Sequence, residues 1–339
     1  MLIKIPKRWE LPESAVTPRK LVEARRPLVA SMQKEGLIGR AMTRREALKL
    51  AAAGTTMAGC GQYIKGLDTG AASGLSSPYA DWFPVPRNKA YEVPERAVTD
   101  GVSATTHNNF YEFTVSKSDV WKLVGDFELE PWTVEITGLV ANGGTFGVED
   151  LFALFDMEER IYRFRCVETW AMTVPWSGFP LAKLVEYVDP LPEATHIAFI
   201  SKNDPEQMPG VSANPGYPWP YYEGLRIDEA TNELAMMVAG MYGEALPRQN
   251  GAPLRVIVPW KYGYKSIKSV VRIAFVNKQP GTFWNTIAPD EYGFLSNVDP
   301  SVPHPRWSQA TERLLPDGQE VDTMLYNGYE AEVSALYSG

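Results

Sequence analysis

The chain is poor in the residues that commonly build metal and nucleophile chemistry. Its 339 residues include two cysteines and three histidines. His107, His196 and His304 lie far apart, no His-Glu-x-x-His is present, and Cys60 and Cys166 form no Cys-x-x-Cys. A zinc hydrolase is therefore poorly supplied. No Gly-x-x-x-x-Gly-Lys-Ser/Thr phosphate loop occurs. The glycine-rich stretch Asn142-Gly143-Gly144-Thr145-Phe146-Gly147 follows an expected strand and reads as a turn. Nothing in the spacing supports a Cys-His-Asn hydrolase. Long hydrophobic runs are missing too: the apolar stretch near residue 50 extends about a dozen residues, short of the roughly 20 that span a bilayer.

What is present is an ordinary globular composition, 45% hydrophobic and 22% charged, with many aromatic residues and 27 each of Gly and Pro. Charge is uneven. Residues 1–60 hold 12 Lys/Arg against 5 Asp/Glu, so a chain of net charge −8 carries −15 over residues 61–339. So acidic a body is a poor candidate for binding nucleic acid, since that affinity rests on Lys and Arg neutralising phosphates, and no nucleic-acid partner is expected.

The basic start calls for its own account. Thr43-Arg44-Arg45-Glu46-Ala47-Leu48-Lys49 precedes a mildly apolar run, Leu50 to Met57, and then Ala58-Gly59-Cys60. A paired arginine before a modest apolar stretch resembles a twin-arginine export signal, which carries already folded proteins. Residues 1–60 are thus expected to be a leader and the body periplasmic. A surface helix over Glu46 to Ala53 is the competing reading. Met57-Ala58-Gly59-Cys60 also resembles a lipoprotein cleavage box that would anchor the chain at Cys60; simple cleavage nearby is preferred.

Without the leader, one thiol remains. A lone cysteine is usually a buried, inert hydrophobe, but exported proteins tend to pair theirs. Cys166 lies in Ile161-Tyr162-Arg163-Phe164-Arg165-Cys166-Val167-Glu168-Thr169-Trp170, an alternating run expected as a strand over 161–169. Its period puts Arg163, Arg165 and Val167 on one face and Phe164, Cys166 and Glu168 on the other. Nearby cations are expected to lower the thiol pKa and favour the thiolate, the form that binds soft metals.

Along the body, residues 61–100 are expected to run extended over the surface. Residues 106–113, which mix polar and aromatic groups, read as a site-lining loop. Strands are expected at 132–140, 161–169, 196–201, 233–240, 254–260 and 269–277, and helices at 147–155 and 180–188. Strands dominate without regular βαβ alternation, which predicts an α+β fold with mixed or antiparallel sheets and one catalytic domain over 101–339. Lys261, Lys265 and Lys268 fall on a Gly-containing turn; they form either an anion site or a solvated basic loop.

Arg163-Phe164-Arg165-Cys166-Val167-Glu168 resembles the cysteine motif of the sulfite-oxidase-fold molybdoenzymes. Asn108-Asn109-Phe110-Tyr111-Glu112-Phe113, Gln249-Asn250-Gly251-Ala252-Pro253, Val258-Pro259-Trp260-Lys261-Tyr262-Gly263 and His304-Pro305-Arg306-Trp307-Ser308-Gln309 narrow the likeness to one branch, the periplasmic protein-methionine-sulfoxide reductase catalytic subunits. The resemblance runs from about residue 100 to the C-terminus. It implies a sulfite-oxidase-type molybdopterin-binding fold and one molybdenum-molybdopterin, in the form without a nucleotide, with Cys166 as protein ligand and catalytic centre. The pterin is then held at Asn108, Tyr111, Glu112, Ser201, Asn250, Arg255, Ser266, Ile267 and Lys268. Of these, Arg255, Lys268 and turn amides would hold the phosphate, and Tyr111 and Asn108 the ring. The family usually has Thr at the position of Ser201 and Gly at that of Ser266.

The activity so implied is reduction of methionine sulfoxide in oxidised periplasmic proteins by a monomeric catalytic subunit. Its electrons would come from the quinone pool through a membrane haem-containing partner subunit. Sulfite oxidation ranks second, because the 173 residues after Cys166 leave little room for the additional dimerisation domain of typical sulfite oxidases. A metal-free binding protein and thiol redox chemistry at Cys166 are the remaining alternatives.

Overall fold

The computed structural model describes residues 77–338. The leader, the candidate anchor Cys60 and the first part of the 61–100 segment lie outside them. From residue 77 to 100 the chain runs largely without regular structure and is pinned at intervals. Tyr79 is buried against Phe152 and donates its hydroxyl to the carbonyl of Leu129 at 2.7 Å.

Two mixed sheets carry the fold. One is five-stranded, in the order β2 (Gly144–Gly147), β1 (Thr133–Gly138), β10 (Val270–Val276), β5 (His196–Ser201), β6 (Tyr222–Arg226). Only its β1–β10 pair is parallel. The other has seven strands: β12 (Gln319–Asp322), β11 (Thr311–Leu314), β4 (Trp170–Pro180), β7 (Met236–Met241) and β8 (Glu244–Ala245) in a path, with β3 (Glu158–Arg165) on β4 and β9 (Arg255–Ile257) on β7. Here β11 and β4 are parallel. Helices are short. Val148–Leu154 and Leu181–Val188 match the two expected ones, the second burying Leu181, Leu184, Val185 and Val188 at helical spacing.

Every expected strand is found, several of them trimmed at the ends. The main difference lies at residues 161–169: β3 stops at Arg165, and the chain turns through Cys166–Thr169 into β4. Thr169 takes φ 71°, and its N–H donates to the carbonyl of Cys166 at 3.0 Å. β4 was not expected, because Trp170-Ala171-Met172-Thr173-Val174-Pro175-Trp176 is apolar on both faces, and a strand buried on both sides loses the alternation that reveals strands. The expected turn over 142–147 ends in β2, which closes a hairpin on β1.

The two sheets share one apolar core, with Trp176, Trp260, Phe179 and Phe199 among its largest buried side chains. No helix among the described residues is long and apolar enough to cross a membrane.

Candidate active site

The tip of the β3–β4 hairpin opens into a cavity of about 330 Å3, within the range of small-ligand sites. Four stretches of chain meet there: the loop 107–112, the hairpin tip, Asn250 with Arg255, and the turn 263–268. A further wall comes from Tyr217, Tyr221, Trp284, Tyr292, Arg306 and Trp307. Phe164 and Cys166 face the cavity and Arg163 and Arg165 do not, but Val167, expected on the face of the arginines, lines it too, because the alternation ends with β3 at Arg165.

Cys166 is buried, and its sulfur accepts two N–H bonds, from Asn109 Nδ2 and from the backbone of Glu168, each at 3.4 Å. Asn109 Nδ2 also donates to Glu168 Oε2 at 2.8 Å, and Lys117 pairs with the other carboxylate oxygen at 3.0 Å. Burial tends to raise the Glu168 pKa, but Asn109 and Lys117 outweigh it and hold this carboxyl below its ordinary value. The thiol behaves contrary to expectation. Burial, reinforced by Glu168, pushes Cys166 up to about 12. The two arginines are engaged elsewhere: Arg165 with Glu312 at 3.3 Å and Gln309 at 2.9 Å, Arg163 with Glu95 and the carbonyl of Asn327. A metal bound here would take the place of that proton.

The loop 107–112 follows the helix Gly101–Thr106, whose first turn is capped by Asp100 accepting from Ser103 N at 2.8 Å. Asn108 Nδ2 returns to the carbonyl of Thr105 at 2.8 Å, which sets the direction of the loop. Glycine lets the loop close down on its neighbour: a Cβ on Gly210 would stand 2.2 Å from the carbonyl oxygen of Tyr111. Glu112 is fully enclosed and accepts from Ser201 Oγ at 3.1 Å, and burial raises its pKa.

Two cations also line the cavity, Arg255 buried and Lys268 half-buried. Arg255 is 2% exposed, and its guanidinium donates to the carbonyls of Asn250 at 2.6 Å and Ser266 at 3.1 Å, with no carboxylate in contact among the described residues. Burial alone brings it down to about 9. Lys268 reaches the carbonyl of Asn109, and burial followed by repulsion from Arg255 depresses it. Gly251, at φ 102°, makes room: a Cβ there would meet Lys268 Cβ at 2.7 Å. Arg255 Nε and Asn250 Oδ1 are buried without a partner. A buried guanidinium beside a half-buried ammonium, with unpaired polar atoms on the same cavity wall, is costly as it stands. A phosphate-bearing ligand would satisfy them.

These donors fit a molybdenum-pterin group. Among the described residues no cluster of three or more His, Cys, Asp or Glu could hold a metal ion. A metal at Cys166 must therefore bring most of its ligands with it, as a dithiolene does. Of the positions that the resemblance implied for the pterin, Asn108, Tyr111, Glu112, Asn250, Arg255, Ser266, Ile267 and Lys268 line the cavity with Cys166. Ser201 does not; it reaches the cavity only through Glu112. Ser266 accommodates its extra side chain by turning its hydroxyl inward to accept from Val258 N at 3.1 Å.

The three-lysine turn is neither of the forms expected for it. Lys261 is buried on Glu229 and Asn297, and Lys265 on Glu223. Of the three, Lys268 alone lines the cavity. The sequence groups Glu168 with Cys166, and the two are in contact, although through a turn and not a strand face. Asn109 was missed as a neighbour of the sulfur, and nothing local marked it.

Comparison with known proteins agrees with this geometry. The family model described as "Oxidoreductase molybdopterin binding domain" matches residues 122–284. "Protein-methionine-sulfoxide reductase catalytic subunit MsrP" of Pseudomonas syringae pv. tomato is 46% identical, across 100% of this chain and 98% of its own length. The protein of the same name from Ralstonia nicotianae is also 46% identical over 100% and 98%, and that from Burkholderia mallei 46% over 97% and 94%. Among solved structures, the sulfane dehydrogenase SoxCD of Paracoccus pantotrophus aligns at 16% identity and a TM-score of 0.41, covering 78% of this chain and 63% of that one. The chain is an oxidoreductase that belongs to the family of protein-methionine-sulfoxide reductase catalytic subunits, built on the molybdopterin-binding domain.

Proposed function

We propose that the protein reduces methionine sulfoxide residues in exported proteins, at a molybdenum-pterin group to which Cys166 contributes the protein's one ligand. One observation carries this reading: a single cavity joins a buried, N–H-bonded sulfur to two cations, the buried Arg255 and the half-buried Lys268, of which Arg255 has no carboxylate in contact among the described residues. When bound there, the group supplies two-electron, oxygen-accepting chemistry that no side chain in the cavity can perform. In the overall reaction a sulfoxide takes up two electrons and two protons and leaves as a thioether and water.

The chain's own residues prepare the site. Asn109 and the backbone of Glu168 direct N–H dipoles at the sulfur and so favour its anionic form. Arg255 and Lys268 hold phosphate, and Asn108, Tyr111 and Asn250 orient the ring. Glu168 bears on the choice of substrate. Held ionised beside the sulfur, it disfavours an anion such as sulfite and tolerates an uncharged sulfoxide.

The remaining parts of the reading follow the family. Residues 1–60 serve as a twin-arginine leader, the body from 101 to the C-terminus is one catalytic domain in the periplasm, and one nucleotide-free molybdopterin is bound per chain. The catalytic subunit works as a monomer and draws electrons from a membrane haem-containing quinone-oxidising partner. Support for the leader comes from the Arg44-Arg45 pair and the charge step that follows it.

The test is molybdenum content measured together with viologen-driven sulfoxide reduction, in wild type and Cys166→Ala. The wild type is expected to hold one molybdenum and turn over; the variant is expected to fold and not turn over. Sulfite turnover without sulfoxide turnover, or no molybdenum after expression in a cofactor-competent host, would overturn the proposal.

A further inference from the structure

One wall of the cavity is left over after the cofactor-holding residues are set aside, and it is built of rings. Tyr111 meets Trp284 edge-on at 5.1 Å between centroids. Trp284 lies tilted on Tyr292 at 5.4 Å, Tyr292 reaches His304 at 5.5 Å, and His304 stacks on Trp307 at 3.8 Å. All except His304 line the cavity. The belt starts on a residue of the pterin set. It ends beside the candidate metal ligand, because Trp307 Nε1 donates to the carbonyl of Val167 at 2.8 Å. Four of its five rings thus share one cavity with the Cys166 sulfur.

The belt is rigid as well as continuous. Trp307 is held by its stack on His304 and by its bond to Val167, and Trp284 packs against Tyr111, Tyr217 and Tyr292. Its nearest cation is not free to bind an anion: Arg306 is paired with Glu291 at 2.7 Å and lies over Trp307 at 4.9 Å. Ring faces are electron-rich, and sulfur packs favourably against aromatic rings. A sulfoxide sulfur carries partial positive charge and a methyl group but no net charge. Such a group suits a wall of π faces with a fixed carboxylate nearby.

We propose that Trp284, Tyr292 and Trp307 form the subsite that holds the methyl and sulfur atoms of a methionine sulfoxide side chain presented by a polypeptide. The inference rests on the sulfoxide-reductase reading and adds the residues that recognise the substrate. Pre-built walls of this kind lower the ordering cost of binding, so the subsite acts chiefly on affinity.

The test is titration calorimetry of the molybdenum-loaded enzyme with a short peptide containing one methionine sulfoxide, alongside steady-state kinetics on the same peptide. Trp284→Ala is expected to weaken the peptide at least tenfold, the equivalent of about 1.4 kcal/mol. KM should rise far more than kcat falls, and molybdenum content should not change. Trp284→Leu, which keeps apolar volume and removes the π face, is expected to show a similar loss, and Trp284→Phe to restore most of it. Wild-type affinity in both the Ala and Leu variants would overturn the subsite, as would a wild type that does not bind the peptide. Binding without sulfoxide reduction in the wild type would sink the reductase reading and leave the subsite standing. Reduction with unaltered binding in the variants would do the reverse.

Discussion

Gln309 bridges the two flanks of the candidate metal ligand: its amide donates to the carbonyl of Val167 at 2.9 Å, and its own carbonyl accepts from Arg165 at 2.9 Å. The residues on either side of Cys166 are thereby tied to the segment that leads into β11. Gln309→Leu is expected to cost about 1–3 kcal/mol, the usual consequence of stranding buried polar groups. Urea unfolding measures this, and a molybdenum assay should show weaker loading. Wild-type stability and loading together would show that the bridge does not matter.

Ser266 is a second local departure with a physical consequence. Its hydroxyl is the acceptor for the buried N–H of Val258. Ser266→Ala is expected to lower stability by about 1–3 kcal/mol, read from thermal or urea melts. A change below a few tenths would mean that Val258 finds another acceptor.

The pH dependence of stability has a sign set by Glu168. Its pKa in the folded protein lies below the ordinary 4.5, so the folded state favours the carboxylate. The stabilisation is fully present above pH 4.5 and is lost as pH falls through the folded-state pKa. Glu168→Gln should flatten this part of the acid limb in melts taken below pH 4.5. An unaltered acid limb in the variant would remove Glu168 from the account.

Two buried cations should respond differently to removal. Lys261 is fully buried on Glu229 at 2.5 Å, so Lys261→Met leaves a buried carboxylate without its cation. A loss of about 3–5 kcal/mol is expected. Arg255 has no acid partner to strand among the described residues. Arg255→Met should therefore shift the melt of cofactor-free protein much less than Lys261→Met does, while molybdenum content falls. Equal destabilisation with unchanged loading would show that Arg255 is structural.

Much of the architecture was readable because its cause is local. The helix Leu181–Val188 follows from apolar spacing, and β5 and β10 from β-branched and aromatic runs. β4 was hidden because both of its faces are buried, so no alternation marks it. Thr169, at positive φ, divided what read as one strand into a hairpin with Cys166 at its tip.

By itself the sequence determined that Phe164 and Cys166 share a side apart from Arg163 and Arg165, that the body is acidic, and that zinc and phosphate-loop chemistry are poorly supplied. These are matters of composition and short-range period. Only the tertiary structure decided where charge acts. It turned Arg163 and Arg165 away from the thiol, placed Lys261 and Lys265 in buried ion pairs, and left Arg255 and Lys268 facing the cavity. It also brought Asn109, 57 residues away in sequence, to the sulfur. A charge's effect depends on its burial and its partner, and both are set by contacts between distant parts of the chain.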